Sequence, residues 1–326
     1  MLDFLIVSTR SQKRGNIEIY PKFVVRYNKD LMIRGGDFYA IWNESTSLWS
    51  NSEDIAISLI DKELDDYKET HFKDSPDVKV LHLWDSSTGM IDSWHHYCQK
   101  QCRDNFHALD EKLIFSNSEL KKTDYASKIL PYNLESCPIT NWENLMNVLY
   151  SEEELRKIEW AIGAIVSGDS KKIQKFLVFY GAAGTGKSTV LNVIQKLFDG
   201  YYCVFDSKAL GSSNASFALE PFKANPLVAI QHDGDLSKIE DNTRINSLVS
   251  HEMMTVNEKF HSAYPMKFKC FLFMGTNKPV RITDAKSGLI RRLIDVEPTG
   301  NQMPVRKYKQ AVEGIKFELG GIAQHC

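Results

Sequence analysis

The 326-residue chain lacks any unbroken apolar run of the roughly 20 residues that a membrane-spanning helix requires, so no helical span is expected. A secretory leader is missing as well. The opening Met1-Leu2-Asp3-Phe4-Leu5-Ile6-Val7 has no basic residues ahead of it and is soon followed by Arg10, Lys13 and Arg14. Cysteines are few: six are scattered without the spacing of a disulfide framework, which suits a reducing cytosol. There is no large excess of charge of one sign. A net charge of −2 argues against a globally basic nucleic-acid coat, while leaving room for local basic loops. Internal repeats and low-complexity tracts are also lacking, which removes solenoids and disordered arrays. Together these absences leave a soluble cytoplasmic protein with no membrane partner. With 43% hydrophobic and 25% charged residues, a packed core is expected, and the length allows two domains.

What stands out is the octapeptide Gly181-Ala182-Ala183-Gly184-Thr185-Gly186-Lys187-Ser188, which fits the phosphate-loop pattern G-x-x-x-x-G-K-[ST]. Lys175 to Tyr180 ahead of it reads as a buried strand, and Val190 to Phe198 after it has helical spacing. Strand, glycine loop and helix together are the context the motif needs. Backbone N–H groups of such a loop, with the helix N-terminus and Thr189 behind it, would cradle phosphates. Lys187 would reach the β- and γ-phosphates, and Ser188 would ligate Mg²⁺. The nucleotide expected is ATP.

Three further stretches supply the rest of an ATPase. Leu227 to Ile230 reads as a buried strand with Asp233 just past its end, the position for the carboxylate that holds Mg²⁺. Asp235 is close enough to share that role or to polarise water, although Asp-Gly-Asp is also a plain turn sequence. Cys270 to Gly275 is an apolar strand leading into Thr276-Asn277-Lys278-Pro279. Asn277 could there hold the attacking water, or simply make a turn before proline. In Ser287-Gly288-Leu289-Ile290-Arg291-Arg292-Leu293-Ile294, paired arginines lie between apolar residues. Arg292 is favoured as an arginine that neutralises a transferring phosphoryl group across a subunit boundary, with Arg291 as its neighbour or substitute. An ordinary surface ion pair is the alternative.

Thr255 to Lys269 reads as a β-hairpin around Ser262-Ala263-Tyr264-Pro265. It interleaves Lys259, His261, Lys267 and Lys269 with Phe260, Tyr264 and Phe268, a composition that suits a loop gripping single-stranded nucleic acid. A hairpin with solvated lysines has the same composition. Two other groupings have bland readings. His95, Cys98 and Cys102 share a helical face with His107 beyond, but match no common zinc spacing. Trp42, Trp49, Trp84 and Trp94 suit a core better than a base-stacking platform.

The chain thus divides into residues 1–115, 116–170, 171–300 and 301–326. The first is a small α+β domain with strands at Phe23–Tyr27, Phe38–Trp42 and Val78–Trp84 and helices at Asp54–Tyr67 and Trp94–Leu113. The second is a linker and helical connector. Within it, Asn141 to Gly168 is helical, with a Ser151–Glu154 capping box and a stripe of Leu155, Ile158, Ile162 and Ile165. The third is the α/β ATPase core with a parallel sheet, and the last is a C-terminal helix ending at Cys326.

The ordered set of glycine loop, Asp233, Lys259 hairpin, Gly275-Thr276-Asn277 and Arg291-Arg292 resembles the superfamily 3 helicases. It is most similar to the branch of phage and plasmid primase–helicases and poxvirus-type primase–helicases, over roughly residues 141–298. That resemblance implies an AAA+-like core and a hexameric ring with ATP between subunits. It also implies an arginine acting in trans and a hairpin that draws single-stranded DNA with 3′-to-5′ polarity. The role implied is unwinding at a double-stranded fork during viral or mobile-element replication in the host cytoplasm, alongside a separate primase and polymerase. Asp233 is followed by Gly234 where relatives often have a second acid, and residues 1–115 show no cluster of metal-binding acids that would make a primase. Relatives often continue into a DNA-binding domain, so a short form, a fragment or half of a split protein are the readings of the end at Cys326. Two other functions fit the same loop: a DNA-stimulated loader ATPase without unwinding, and a small-molecule phosphotransferase.

Overall fold

The structure, a computed structural model, describes residues 2–24, 31–33, 39–73, 75–101, 108–212, 214–235, 241–257, 263–278 and 288–326. The chain forms two compact units, Met1–Leu109 with Leu120–Ser127, and Asp110–Glu119 with Lys128–Cys326.

The first unit contains β1 (Leu5–Ser11), β2 (Ile17–Phe23), β3 (Leu31–Ile33), β4 (Tyr39–Asn43), β5 (Leu48–Ser50), α1 (Glu53–Phe72), β6 (Val78–Val80) and α2 (Met90–Gln101). β1 pairs antiparallel with β2, which pairs parallel with β6, while β3, β4 and β5 form a second, antiparallel sheet. Helix α1 turns Ala56, Ile57 and Ile60 toward Phe4, Trp94 and Tyr97, the helical spacing giving one apolar face. Asp61 on the same helix is buried, and its carboxylate accepts the Leu83 and Trp84 N–H groups at 2.7 and 3.2 Å.

Several expectations shift here. Of the strand expected at Phe23–Tyr27, Phe23 is the last residue of β2, Val24 lies in no strand, and residues 25–27 lie outside the described ones. Helix α2 does not run to Leu113. It is described to Gln101, and by Asp110 the backbone is left-handed, ahead of an extended bridge between Phe115 and Leu130. Trp49 and Trp94 are core, Trp42 is half-buried against Trp49, and Trp84 is 59% exposed. Cys98 is buried among apolar side chains, whereas His95 is exposed and bonds Glu53. Cys102 and His107 lie outside the described residues. Among the described residues no three metal-binding side chains come together.

The second unit begins with α3 (Thr140–Leu149) and α4 (Glu152–Val166), followed by β7 (Phe176–Tyr180), α5 (Lys187–Leu197), β8 (Tyr202–Val204), α6 (Ser207–Leu210), β9 (Val228–Gln231) and α7 (Thr243–Val249). It continues with β10 (Met253–Val256), β11 (Tyr264–Lys267), β12 (Phe271–Thr276), β13 (Leu293–Val296), α8 (Val305–Ile315) and α9 (Leu319–His325). A five-stranded, all-parallel sheet has the order β13-β7-β12-β9-β8. Its strands alternate between two cores. Leu177, Phe179, Val228, Ile230, Phe271 and Phe273 join α4 and α5 on one face. Phe176, Val178, Ala229, Leu272 and Met274 join Phe222, Leu248 and Leu289 on the other. Burial of both faces explains why these strands read as continuous apolar runs.

Ser151 caps α4 by accepting the Glu154 N–H, but the reciprocal half of the expected capping box is not made. Glu154 instead accepts the Glu297 N–H at 3.1 Å and pairs with Lys157, tying α4 to the segment after β13. The C-terminal helices belong to this unit. Glu318 is buried and accepts the N–H groups of Asn141 and Trp142, both at 2.9 Å, placing a carboxylate on the positive start of α3. No helix among the described residues is long and apolar enough to cross a membrane.

Candidate functional site

The carboxyl ends of the parallel strands hold the residues that the sequence singles out. The glycine loop leaves β7 and enters α5 at Lys187. Its start is tied to the neighbouring strand by the Gly181 N–H, which donates to Thr276 O at 3.3 Å. Gly186 has φ +92°, and a Cβ there would come within 2.8 Å of Leu149, so the turn into α5 needs glycine on both counts. Lys187 is buried, and its Nζ donates to the carbonyls of Gly181 and Ala182 at 2.7 and 2.8 Å. Burial lowers the pKa of this ammonium, with nearby Asp233 acting in the opposite direction. Thr185 Oγ1 closes the loop on Ala182 O at 2.8 Å.

The turn after β9 is locked to the end of β12. Gly234 N–H donates to Gly275 O at 2.8 Å, and a Cβ on Gly275 would sit 2.5 Å from His232 O. That approach brings Asp233 and Asn277 to the same edge. Ser188, Asp233 and Asn277 are exposed and line one cavity of about 510 Å³ with Gly184, Gly186 and Lys187. A hydroxyl and a carboxylate facing one cavity are hard oxygen donors of the kind Mg²⁺ prefers, so the residues present fit that ion. Ala183 and Thr189 line the cavity too.

Asp235 points elsewhere, toward Lys278, whose Nζ lies 2.8 Å from its carboxylate and is pushed up in pKa by that bond. Next to Asp233, His232 has an imidazole nitrogen 3.2 Å from Gln195 Oε1, and burial lowers its pKa.

The two arginines have different surroundings. Arg292 is buried: Nε and Nη2 donate to Ser250 Oγ at 2.9 and 2.5 Å, and Nη1 donates to Gly288 O at 3.0 Å. Its guanidinium is thus committed within the chain. Arg291 has an exposed side chain, while its carbonyl accepts a hydrogen bond from Lys175 Nζ. Both precede β13, whose Leu293 pairs with Phe176, so they lie at the amino edge of the sheet, opposite the glycine loop.

The expected hairpin is formed by β10 and β11, with Met253 opposite Lys267 and Val256 opposite Tyr264. Lys267 is exposed at its base. Lys259 and His261 lie outside the described residues. Two members of the basic–aromatic pattern have other duties: Phe268 is buried in the core, and Lys269 pairs with Glu111 at 2.6 Å. Behind the hairpin, buried His251 has Nδ1 3.1 Å from Phe268 O and Nε2 3.1 Å from Ile173 O.

Part of the cavity was not foreseen from sequence. Leu149, Asn301, Gln302, Met303 and Tyr308 line its far end. They come from α3, from the segment after β13 and from α8, and no local motif marks them.

A family model described as a family of unknown function (DUF5906) matches residues 179–292, which include the glycine loop, the Asp233 turn, the hairpin and the paired arginines. No curated protein matches the chain. Among solved structures, the chain is similar to the apo structure of NrS-1 C terminal region (305-718), at 13% identity and a TM-score of 0.53, covering 90% of this chain and 66% of that one. A second, the A form apo structure of the same region, aligns at 18% identity and a TM-score of 0.43, over 59% of this chain and 45% of that one. At these identities the first likeness is one of fold, and this chain spans 66% of the length of that relative.

Proposed function

We propose that the protein is an ATP-hydrolysing motor of the superfamily 3 helicase type, acting on DNA in phage or mobile-element replication. The observation that carries this reading is the arrangement of three loops on one sheet edge. In the order β13-β7-β12-β9-β8, the glycine loop follows β7, Asn277 follows the adjacent β12, and Asp233 follows β9. These loops surround a single cavity.

The chemistry assigned to the chain's own groups is mostly electrostatic. Lys187 and the loop N–H groups hold the β- and γ-phosphates, and Asn277 orients the attacking water. Ser188 and Asp233 would hold Mg²⁺, which when bound neutralises charge on the phosphate oxygens. Arg291, exposed at the amino edge, is assigned to the nucleotide of another copy in a ring, while Arg292 fixes the loop that presents it. Asp235 acts with Lys278 to tie the turn after β9 to the end of β12. Lys267, with Lys259 and His261 of the same hairpin, is assigned to single-stranded DNA.

Steady-state ATP hydrolysis with and without single-stranded DNA, with Lys187→Ala as the blank, tests the reading. Hydrolysis stimulated by DNA and abolished in the variant is expected. Hydrolysis indifferent to DNA would favour a phosphotransferase. Stimulation without strand separation would favour a loader.

A further inference from the structure

A chain of hydrogen bonds runs from the Asp233 turn to helix α7. Gln231, the last residue of β9, packs its amide against that turn: a Cβ on Gly234 would come within 2.9 Å of Gln231 Oε1. The same oxygen accepts the Ser207 N–H at 3.0 Å, fastening the turn to the first residue of α6. The carbonyl of Gly211, just past α6, accepts the Asp241 N–H at 3.2 Å. Arg244 on α7 donates through Nη1 to the carbonyls of Ser212 and Ala215, at 3.0 and 2.8 Å.

The other end of α7 is built into the hairpin. A tight turn leads from α7 to β10, and Ser247 clasps it. Its carbonyl accepts the Glu252 N–H at 2.9 Å, and its hydroxyl donates to Glu252 Oε2 at 2.7 Å. His251, in that turn, has Nδ1 3.1 Å from Phe268 O, which ties in the segment after β11. Ile245, Leu248 and Val249 share a core with Met254 and Val256, so α7 and the hairpin base are one packed body. Ser250, which caps α7, also receives Arg292, the neighbour of Arg291.

Where α6 packs on α7, the polar groups are incompletely matched. Ser207 Oγ, at the start of α6, and Asn242 Oδ1, just before α7, are buried and make no hydrogen bond among the described residues. Burying a polar atom without a partner is costly, and a second position of α7 that supplies partners recovers that cost. The joint between the two helices is therefore the place where this chain of contacts can shift.

We infer that α7 is the strut through which the phosphate site sets the β10–β11 hairpin, with Gln231 and Arg244 as the positioning residues at its nucleotide end. A change at the Asp233 turn passes through Gln231 to α6, through Arg244 to α7, and so to the hairpin base. The inference rests on the motor reading and adds the residues that carry its coupling. Coupling is reciprocal, so nucleotide bound at one end must alter DNA affinity at the other.

Fluorescence anisotropy of labelled oligothymidylate, titrated with the full chain in Mg²⁺–ATPγS, in Mg²⁺–ADP and without nucleotide, tests it. Wild-type affinities in the two nucleotides are expected to differ about tenfold or more. Arg244→Met should bring them within about threefold, while nucleotide-free DNA affinity and DNA-free ATP hydrolysis stay within about twofold of wild type. Arg244→Lys, whose ammonium can still donate to the two carbonyls, should restore the difference. A residue that only held the fold together would lower the melting temperature and leave the ratio alone. Gln231→Met reads the same path from its other end, with the same loss of ratio expected, and decides the matter if Arg244→Met fails to fold. A ratio that survives either substitution in a folded protein would overturn the strut and leave the motor reading intact. So would a wild type that binds both nucleotides and holds oligothymidylate equally in each. A chain that binds neither nucleotide nor oligothymidylate removes the motor reading, and the strut with it.

Discussion

The two edges of the parallel sheet differ in what their polar side chains are doing. At the carboxyl edge, Ser188, Asp233 and Asn277 are exposed around one cavity. At the amino edge, Arg292 and His251 are buried, with their nitrogens facing a serine hydroxyl and backbone carbonyls. One edge leaves these polar side chains exposed, and the other commits most of them to hydrogen bonds within the fold. Arg291 is the exception, being exposed on the structural edge next to a buried twin.

The contrast is sharpest in the arginine pair. Arg291→Ala should lower ATP turnover by about 10³-fold, the usual scale for an arginine acting in trans, with an unchanged melting temperature. Turnover near wild type would break the assignment. Lys187→Ala should lower turnover by at least about 10²-fold, read in the same assay, because a buried cation is removed from the phosphate site. Arg292→Ala should act on stability instead. It leaves Ser250 and the Gly288 carbonyl without their partner, at about 1–3 kcal/mol, measurable by denaturant unfolding. If it proves as stable as wild type, the amino edge is not the structural one.

Gly186→Ala gives a smaller effect on the carboxyl side. With φ at +92° and Leu149 in the way, about 1–2 kcal/mol of stability should be lost, together with nucleotide affinity. The smallest effect is expected in the pH dependence. Burial lowers the His232 pKa below its ordinary 6.5, so the unfolded chain binds a proton there more readily. Stability from this site is therefore complete above pH 6.5 and is lost as pH falls toward and through the lowered value. His232→Gln should flatten that acid limb slightly, as judged by urea midpoints at successive pH values.

Much of the second unit is legible in sequence because its strands are buried on both faces. Phe176–Phe179, Val228–Ile230 and Phe271–Met274 are apolar throughout, and each strand is followed at its carboxyl end by candidate site residues. The glycine loop is legible because left-handed backbone and close approach demand glycine. The role of Arg292 is not, since two adjacent arginines look alike until Ser250 and Gly288 are brought beside one of them. Leu149 and Asn301 to Met303 are also hidden, because they converge only when α3 meets the segment after β13. In the first unit β1 escapes notice: Leu5–Ser11 alternates weakly and is exposed along much of its length. The helix expected over Trp94–Leu113 is not present at residues 108–113, where Asp110 takes up a left-handed backbone against what composition suggests.

The most direct test of the account mixes Lys187→Ala and Arg291→Ala proteins and measures ATP hydrolysis against the sum of the two alone. The account predicts that hydrolysis reappears, because intact Lys187 of one copy meets intact Arg291 of the other. A mixture no more active than its components, from a wild type that hydrolyses ATP, would contradict it.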